Sequence, residues 1–158
     1  MTSEDLQRYI DLHGIEATIL PMAEHTPTVP DAARALGVQT HQIIKSLVFR
    51  IKDDPILVIN NGEGRVDRRK LAAYLGVGRG RVKFAAADQV LEITGYVVGS
   101  MPPFGHKQKL RTLIDDAVGK LNVVYGGGGD INAMMRLSSK ELLRVSAAEV
   151  VALSETAA

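Results

Sequence analysis

The sequence contains no cysteine and no long apolar run. Without cysteine the chain cannot form disulfides, thiolate metal sites or a cysteine nucleophile. No eighteen apolar residues follow one another, and the first ten residues are polar and acidic rather than basic and then apolar, so neither a membrane-spanning helix nor a secretory leader is predicted. We therefore expect a cytoplasmic protein that does not contact membranes.

Several common catalytic motifs are also missing. No P-loop pattern occurs, and both Gly76–Gly80 and Gly126–Gly129 lack the third glycine of a dinucleotide fingerprint. Ser100 is followed by Met101 and Pro102 rather than by the glycine of a nucleophile elbow. The four histidines are scattered, without the spacing of a zinc site. A nucleotidase, a serine hydrolase and a metalloenzyme are therefore disfavoured, and we expect neither a metal nor a cofactor.

The composition is that of one globular domain. The chain has 158 residues, of which 46% are hydrophobic and 23% charged. This length is sufficient to bury a core without disulfides or a structural metal. We predict a single domain over residues 1–158.

The order of the predicted elements is mixed. Capping residues, helical spacing and terminating glycines predict helices at 3–13, 29–36, 67–75 and 88–93, and one after Ser138. β-Branched and aromatic runs predict strands at 17–20, 43–51, 56–59, 81–84, 96–98, 112–114, 122–125 and 133–137, of which the second and third form a hairpin. These elements predict a mixed α/β (α+β) fold.

Charge is segregated along the chain although the formal net charge is only +1. Residues 1–31 hold six acids and one base, whereas residues 65–83 hold seven bases and one acid. A basic cluster of this kind can follow a phosphate backbone. The alternative interpretation is a solvated helix face with adjoining strand ends. The basic residues are Arg65, Arg68, Arg69, Lys70, Arg79, Arg81 and Lys83.

Lys45 is the most informative single residue. Alternation along the predicted strand places it on the same face as Ile43, Leu47 and Phe49, which should point into the core. A buried ammonium group without a partner is costly, so such a lysine usually meets an anion or lines a ligand cavity. The alternative is a lysine near a strand end whose long stem reaches solvent.

Glycines are concentrated in two segments, 99–105 and 126–129, that directly follow predicted strands. Glycine allows backbone N–H groups to approach a ligand and to hold a phosphate or a developing oxyanion. Each cluster alone is also consistent with an ordinary tight turn. Both clusters together with Lys45 favour a binding site.

Three sequence motifs, in order, resemble the YbaK and prolyl-tRNA editing domain family. The first runs from His25-Thr26 through residues 31–38 to 43–48, the second is the loop 99–105, and the third is 125–128 followed by 137–142. The resemblance covers about residues 20–145. It implies a mixed, partly closed β-sheet surrounded by helices. It also implies hydrolysis of the ester between a mischarged small amino acid, of the alanine or cysteine type, and tRNA, mostly tRNA for proline, without a metal.

The resemblance assigns roles to individual residues. The family's functional lysine matches Lys45, which engages the terminal phosphate or ribose, and the glycine at 99 supplies backbone near the scissile carbonyl. We add the hypothesis that N–H groups of Gly99 and Ser100 hold the carbonyl while water, or a substrate hydroxyl or thiol, attacks. The loop residues Pro102, Pro103 and Phe104 are the expected walls of the amino-acid pocket.

The remaining expected contacts follow from the same motifs and, for tRNA, from the basic cluster. Substrate-binding residues are His25, Thr26, Ser46, Pro102, Pro103, Phe104, Gly105, Gly126, Gly127 and Gly128, and tRNA-binding residues are Arg65, Arg68, Arg69, Lys70, Arg79 and Arg81. The partner is the tRNA acceptor end, with an aminoacyl-tRNA synthetase as a further partner and no DNA. Four glycines followed by Asp130 depart from relatives that often carry a serine or a basic residue there, which leaves the amino acid open.

Two other functions fit the same residues. One is a module of the same fold that binds aminoacyl-tRNA or a synthetase without hydrolysing an ester. The other is a small-molecule or nucleotide binder in which the pocket at Lys45 holds a free phosphate. Loss of hydrolysis with retained RNA binding indicates the first, and weak RNA binding with a shallow salt dependence indicates the second.

Overall fold

Eight β-strands and six α-helices make up residues 1–155, the part of the chain that the computed structural model describes. The strands are β1 (Ala17–Pro21), β2 (Ile44–Ile51), β3 (Asp54–Asn61), β4 (Val82–Phe84), β5 (Arg111–Asp115), β6 (Val123–Gly127), β7 (Ala133–Ser138) and β8 (Glu149–Val151). The helices are α1 (Ser3–Leu12), α2 (Val29–Leu36), α3 (Arg68–Leu75), α4 (Ala87–Thr94), α5 (Asp116–Gly119) and α6 (Ser139–Ser146). The mixed α/β prediction is confirmed.

The strands form two sheets. The smaller sheet has the antiparallel order β1-β7-β6, and the larger has the order β4-β2-β3-β5-β8. In the larger sheet β5 runs parallel to both β3 and β8, while the other pairs are antiparallel. A single parallel bridge between Ile43 and Tyr125 connects the two sheets beside the start of β2.

The predicted hairpin of β2 and β3 forms the centre of the larger sheet. Its two-residue turn puts Ile51 opposite Asp54, and Lys45 lies opposite Asn60 near the other end. Apolar residues of β2 alternate between the two faces, as the pleat requires. Ile44 and Val48 join one hydrophobic core, whereas Phe49 joins a second core with Leu71 of α3.

Most helix boundaries follow the predicted caps. The side chains of Thr28, Asp67 and Ser138 accept hydrogen bonds from backbone N–H groups in the first turns of α2, α3 and α6. The fourth helix differs from the prediction, because it begins one residue before Asp88. Its N-cap is Ala86, whose N–H donates to Gln89 Oε1 at 2.9 Å.

Residues 96–98 do not form the predicted strand. The hydroxyl of the buried Thr94 accepts from the N–H of Tyr96, and the N–H of Ser100 donates to the carbonyl of Val97, so the chain turns here. Two short elements, α5 and β8, were not predicted. Both are held by Asp115, which caps α5 and accepts from N–H groups just after β8.

No helix among residues 1–155 is both long and apolar enough to cross a membrane.

Candidate functional site

A basic cavity of about 790 Å³ opens beside the N-terminal half of β2. Four of the six predicted RNA-binding residues, Arg65, Arg68, Arg69 and Arg79, line it. The other lining residues are Lys45, Leu47, Val66, Asp67, Phe84 and Glu155. The fold therefore brings Lys45 together with most of the basic cluster, and the concentration of cations suits a polyanion.

Lys45 is half-buried at this cavity. Its Nζ donates to the carbonyl oxygen of Gly64 at 3.2 Å, and no carboxylate among residues 1–155 lies within ion-pairing distance of it. Burial lowers the pKa of Lys45 below its ordinary value, and the nearby charge of Arg65 lowers the pKa further. An ammonium group with one protein acceptor has donors left for a phosphate or a hydroxyl.

The two remaining predicted RNA-binding residues, Lys70 and Arg81, do not line the basic cavity. Lys70 Nζ donates to the carbonyl oxygen of Ser154 at 2.7 Å and so fixes the C-terminal segment against α3. Arg81 lies at the end of a short 3-10 turn, Arg79–Arg81, that leads into β4. Any contact of these two side chains with RNA stays a prediction.

The aromatic ring of Phe84 lines both the basic cavity and a second, smaller cavity. The guanidinium of Arg68 lies 4.7 Å from the ring centroid of Phe84, within the range of a cation–π interaction. Phe84 is about half exposed, at 51%, although its ring also packs at a tilt against that of the buried Phe49, with 4.3 Å between the ring centroids. An exposed aromatic ring in a cationic setting offers a stacking surface for a nucleobase.

Sequence reasoning missed a buried polar network behind Lys45. Asn60, which is fully buried, hydrogen-bonds through Oδ1 with the N–H of Asn61 and with Ser154 Oγ, both at 2.9 Å. Asp115 accepts from the N–H groups of Leu153 and Ser154 at 2.8 and 2.9 Å. This network anchors the C-terminal segment that carries Glu155 to the cavity wall. The available signal was a polar residue, Asn60, directly after a run of buried apolar residues.

The second cavity is small, about 160 Å³, and mainly apolar. Leu47 and Phe84 border both cavities, so the two are adjacent. The predicted site residues Ser46 and Gly99 both line this second cavity. The complete lining is Ser46, Leu47, Val48, Phe84, Ala85, Val90, Val98, Gly99 and Met101.

The loop at Gly99 holds a conformation that favours glycine. Gly99 has a φ of +95°, in the region that side-chain-bearing residues rarely adopt. Ser100 is buried, its N–H donates to the carbonyl of Val97 at 3.1 Å, and its Oγ donates to the same oxygen at 2.8 Å. Contrary to our hypothesis, the N–H of Ser100 is therefore not free to hold an oxyanion. Among residues 1–155 the N–H of Gly99 has no such partner.

The expected walls of the amino-acid pocket lie elsewhere. Pro103, Phe104 and Gly105 line a different cavity of about 320 Å³, together with Tyr9 of α1. Phe104 is buried and stacks on Tyr9 with 6.0 Å between ring centroids. These residues attach the loop to α1 and line neither of the two cavities at Lys45 and Gly99.

Pro102 is buried as well and lines neither of the two cavities at Lys45 and Gly99. Its carbonyl oxygen lies 2.7 Å from Nε2 of His106, which fixes the loop backbone between them. Burial lowers the pKa of His106, so the neutral imidazole is favoured and donates this hydrogen bond through Nε2.

The glycines of the third motif act by allowing close packing of the protein on itself. A Cβ atom at Gly127 would collide with the carbonyl oxygen of Met101, and one at Gly126 would lie 3.2 Å from the side chain of Ile44. A Cβ at Gly128 would lie 2.6 Å from the backbone of Ala133. Gly127 therefore lets the Gly99 loop pack against β6, while Gly126 and Gly128 allow close contact with β2 and β7. They contact protein atoms, and any direct contact with substrate stays a prediction.

His25 and Thr26 are not brought to Lys45. They line a separate cavity of about 860 Å³ between the segment after β1 and the face of α2 that carries Asp31 and Arg34. Within residues 1–155 no group of three histidine, aspartate or glutamate side chains is arranged to hold a metal ion.

Comparison with known proteins identifies a family whose model matches most of this chain. Residues 23–145 match the family model of the aminoacyl-tRNA editing domain. A protein of Bacillus subtilis, the uncharacterized protein YwhH, is 31% identical over 151 residues, which cover 95% of this chain and 94% of YwhH. The proline–tRNA ligase of Limosilactobacillus fermentum is 32% identical over 109 residues, or 65% of this chain, and the chain spans only 19% of that ligase.

A solved structure shows the same fold. The crystal structure of a candidate trans-editing enzyme for prolyl tRNA synthetase superposes with a TM-score of 0.91 and 30% identity, covering 98% of this chain and 97% of the other.

Proposed function

Because this chain belongs to the aminoacyl-tRNA editing domain family, we propose that it is a trans-acting deacylase of mischarged tRNA. Its substrate is a small amino acid of the alanine or cysteine type, esterified to the acceptor end of tRNA, with tRNA for proline as the carrier. The reaction is ester hydrolysis without a metal ion. The relation to proline–tRNA ligases and the similarity to a candidate trans-editing enzyme support this assignment.

One observation carries the proposal: a cationic cavity and a small apolar cavity share Leu47 and Phe84. An aminoacyl-tRNA end has the matching form, a polyanionic chain that ends in a small acyl group. Lys45 and the arginines bind the phosphates, the ring of Phe84 faces the terminal adenosine, and the acyl group occupies the apolar cavity.

The chemistry requires few titrating groups because the ester is already activated. Water attacks the carbonyl carbon, the bond from that carbon to the ribose oxygen breaks, and free amino acid and uncharged tRNA are released. The free N–H of Gly99 is the donor for the developing oxyanion. Placement of water against a fixed ester contributes through proximity and orientation.

A deacylation panel tests the proposal. Wild-type protein is incubated with alanyl-, cysteinyl- and prolyl-tRNA for proline, beside Lys45→Ala and the control Lys140→Ala on the exposed face of α6. We expect release of alanine or cysteine, a loss on the order of 10²-fold in Lys45→Ala because a phosphate contact that positions the ester is removed, and no change in the control. Tight tRNA binding without release from any substrate would reject the enzyme and leave a binding module.

A further inference from the structure

The strand β2 is paired along its full length on one side but only partly on the other. On the first side it pairs with β3 from Ile44 to Ile51. On the second side β4 covers only Phe49 to Ile51, with one more bond from the N–H of Ala85 to the carbonyl of Val48 at 3.0 Å. The first half of β2 therefore has an open edge.

The hydrogen-bond pattern shows which backbone groups point to that edge. The carbonyl of Ile43 accepts from Gly62, so Ile43 faces the β3 side, whereas the carbonyl of Val48 accepts from Ala85, so Val48 faces the open side. Along such a strand, the N–H and carbonyl groups of successive residues point alternately to one side of the strand and to the other. Ser46, two residues before Val48, thus directs both its N–H and its carbonyl away from β3.

The gap at this edge is one residue long. The bridge from Ile43 to Tyr125 closes one end, and the bond at Val48 closes the other. Ser46 is the one residue between Ile44 and Val48 that faces the open side, and within residues 1–155 neither β4 nor β6 pairs with it. A peptide strand needs a longer edge, so the gap suits a single residue.

The small apolar cavity lies directly at this position. Its lining includes Ser46, the buried Val90 and Met101, and Gly99. A cavity of about 150 Å³ holds one benzene molecule, so about 160 Å³ accommodates a small amino acid and excludes a large side chain.

We propose that the unpaired backbone of Ser46 binds the main chain of the aminoacyl group, an inference that rests on the proposed function. The carbonyl oxygen of Ser46 accepts from the α-ammonium group, and its N–H donates to the ester carbonyl, beside the N–H of Gly99. A single residue of extended chain presents this same donor and acceptor pair to a strand edge. The site therefore recognises a free α-amino group and discriminates between side chains by their size alone.

Binding of uncleavable analogues tests this inference independently of turnover. Two minihelices of the acceptor stem carry alanine or lactic acid through an uncleavable 3′-amide. They differ only in that the α-amino group of alanine is a hydroxyl group in lactic acid. We expect the lactyl analogue and an N-acetylalanyl analogue to bind about 10- to 100-fold more weakly than the alanyl analogue, the effect of losing one charge-assisted hydrogen bond. Equal affinities would overturn the inference, whether or not the ester substrates are hydrolysed.

A backbone substitution tests the donor. Replacing Ser46 by its α-hydroxy acid removes the N–H and keeps the side chain. We expect weaker binding of the alanyl analogue and only a small fall in the unfolding midpoint, because no strand pairs with this N–H and the new ester only weakens the carbonyl of Lys45 as an acceptor towards β3. The same replacement at Leu47 removes an N–H that pairs with β3 and should lower the midpoint more. A fall at residue 46 as large as that at residue 47, with unchanged binding, would contradict the proposal.

The outcomes separate the two claims. Failure to release any amino acid would reject the proposed deacylase, while the difference in analogue binding would still decide the role of Ser46.

Discussion

At the scale of single residues, the environment of Lys45 explains how a lysine is retained in a largely apolar strand. Its stem lies beside Leu47 on the face of the second core, and its ammonium group reaches the rim at Gly64. Of the two interpretations of this lysine, a stem that reaches towards solvent describes its position, and anion binding stays a prediction. The arginines around it favour that prediction.

The lowered pKa of Lys45 predicts a pH dependence of RNA binding. The arginines stay charged, so a rise in pH through the pKa of Lys45 removes only this charge, and affinity should fall about tenfold one unit above that pKa. We expect the fall to begin at lower pH than for an ordinary lysine. Lys45→Arg should keep a flat profile.

The measurement is a titration of RNA binding from neutral pH upward, with a 2′-O-methyl hairpin of the acceptor stem that resists alkaline hydrolysis. A wild-type affinity that begins to fall no earlier than expected for an ordinary lysine would contradict this prediction.

At the scale of elements, the loop after Gly99 is positioned by its neighbours more than by its own sequence. Phe104 attaches it to α1, the glycines of β6 allow close approach, and the N–H of Gly129 donates to the carbonyl of Ser100 at 3.0 Å. This explains why a motif containing Pro102, Pro103 and Phe104 does not form the pocket walls.

Gly127→Ala should displace the Gly99 loop. The added Cβ collides with the carbonyl of Met101, which cannot move without the loop. Overpacking of this kind costs about 1–3 kcal/mol in the free energy of unfolding, and deacylation should fall as well. The control is Gly119→Ala, where the nearest atom to the new Cβ, on Val150, lies at 3.9 Å. Urea denaturation and the deacylation assay give both readouts.

Asp115→Asn should loosen the C-terminal segment behind Lys45. The substitution weakens acceptance from Leu153 and Ser154, which leaves buried N–H groups poorly satisfied and costs about 1–3 kcal/mol in the free energy of unfolding. We also expect weaker RNA binding. The matched control is Asp116→Asn, one residue along. Equal stability of the two variants would show that the network at Asp115 does not contribute to the free energy of unfolding.

At the scale of the whole molecule, the basic residues that cluster in the sequence also lie together in the folded structure. Arg65, Arg68, Arg69 and Arg79 converge on one cavity. The net charge of +1 therefore conceals a strongly cationic surface.

A salt titration of tRNA binding tests this surface. Removing Arg68 should reduce the slope of log affinity against log salt by about 0.7–0.9, the effect of one lost phosphate contact. Lys140→Ala should leave the slope unchanged. A slope near zero for the wild type would support the small-molecule alternative over an RNA-binding protein.

The sequence by itself determined the local features. Caps at Thr28, Asp67 and Ser138, the hairpin and the mixed class all follow from short-range rules, in which one side chain or a period of two decides the outcome. The family resemblance, the cluster of arginines and the position of Lys45 among apolar residues were also readable from the sequence, because charge and motif order are properties of the chain.

Only the tertiary structure decided which of these residues meet. It separated His25 and Thr26 from Lys45, engaged the N–H of Ser100, and placed Pro103 and Phe104 against α1. These outcomes depend on packing between segments far apart in sequence, which no local pattern encodes. The open edge at Ser46 is of the same kind, since it exists only because β4 ends early and β6 bridges at Ile43.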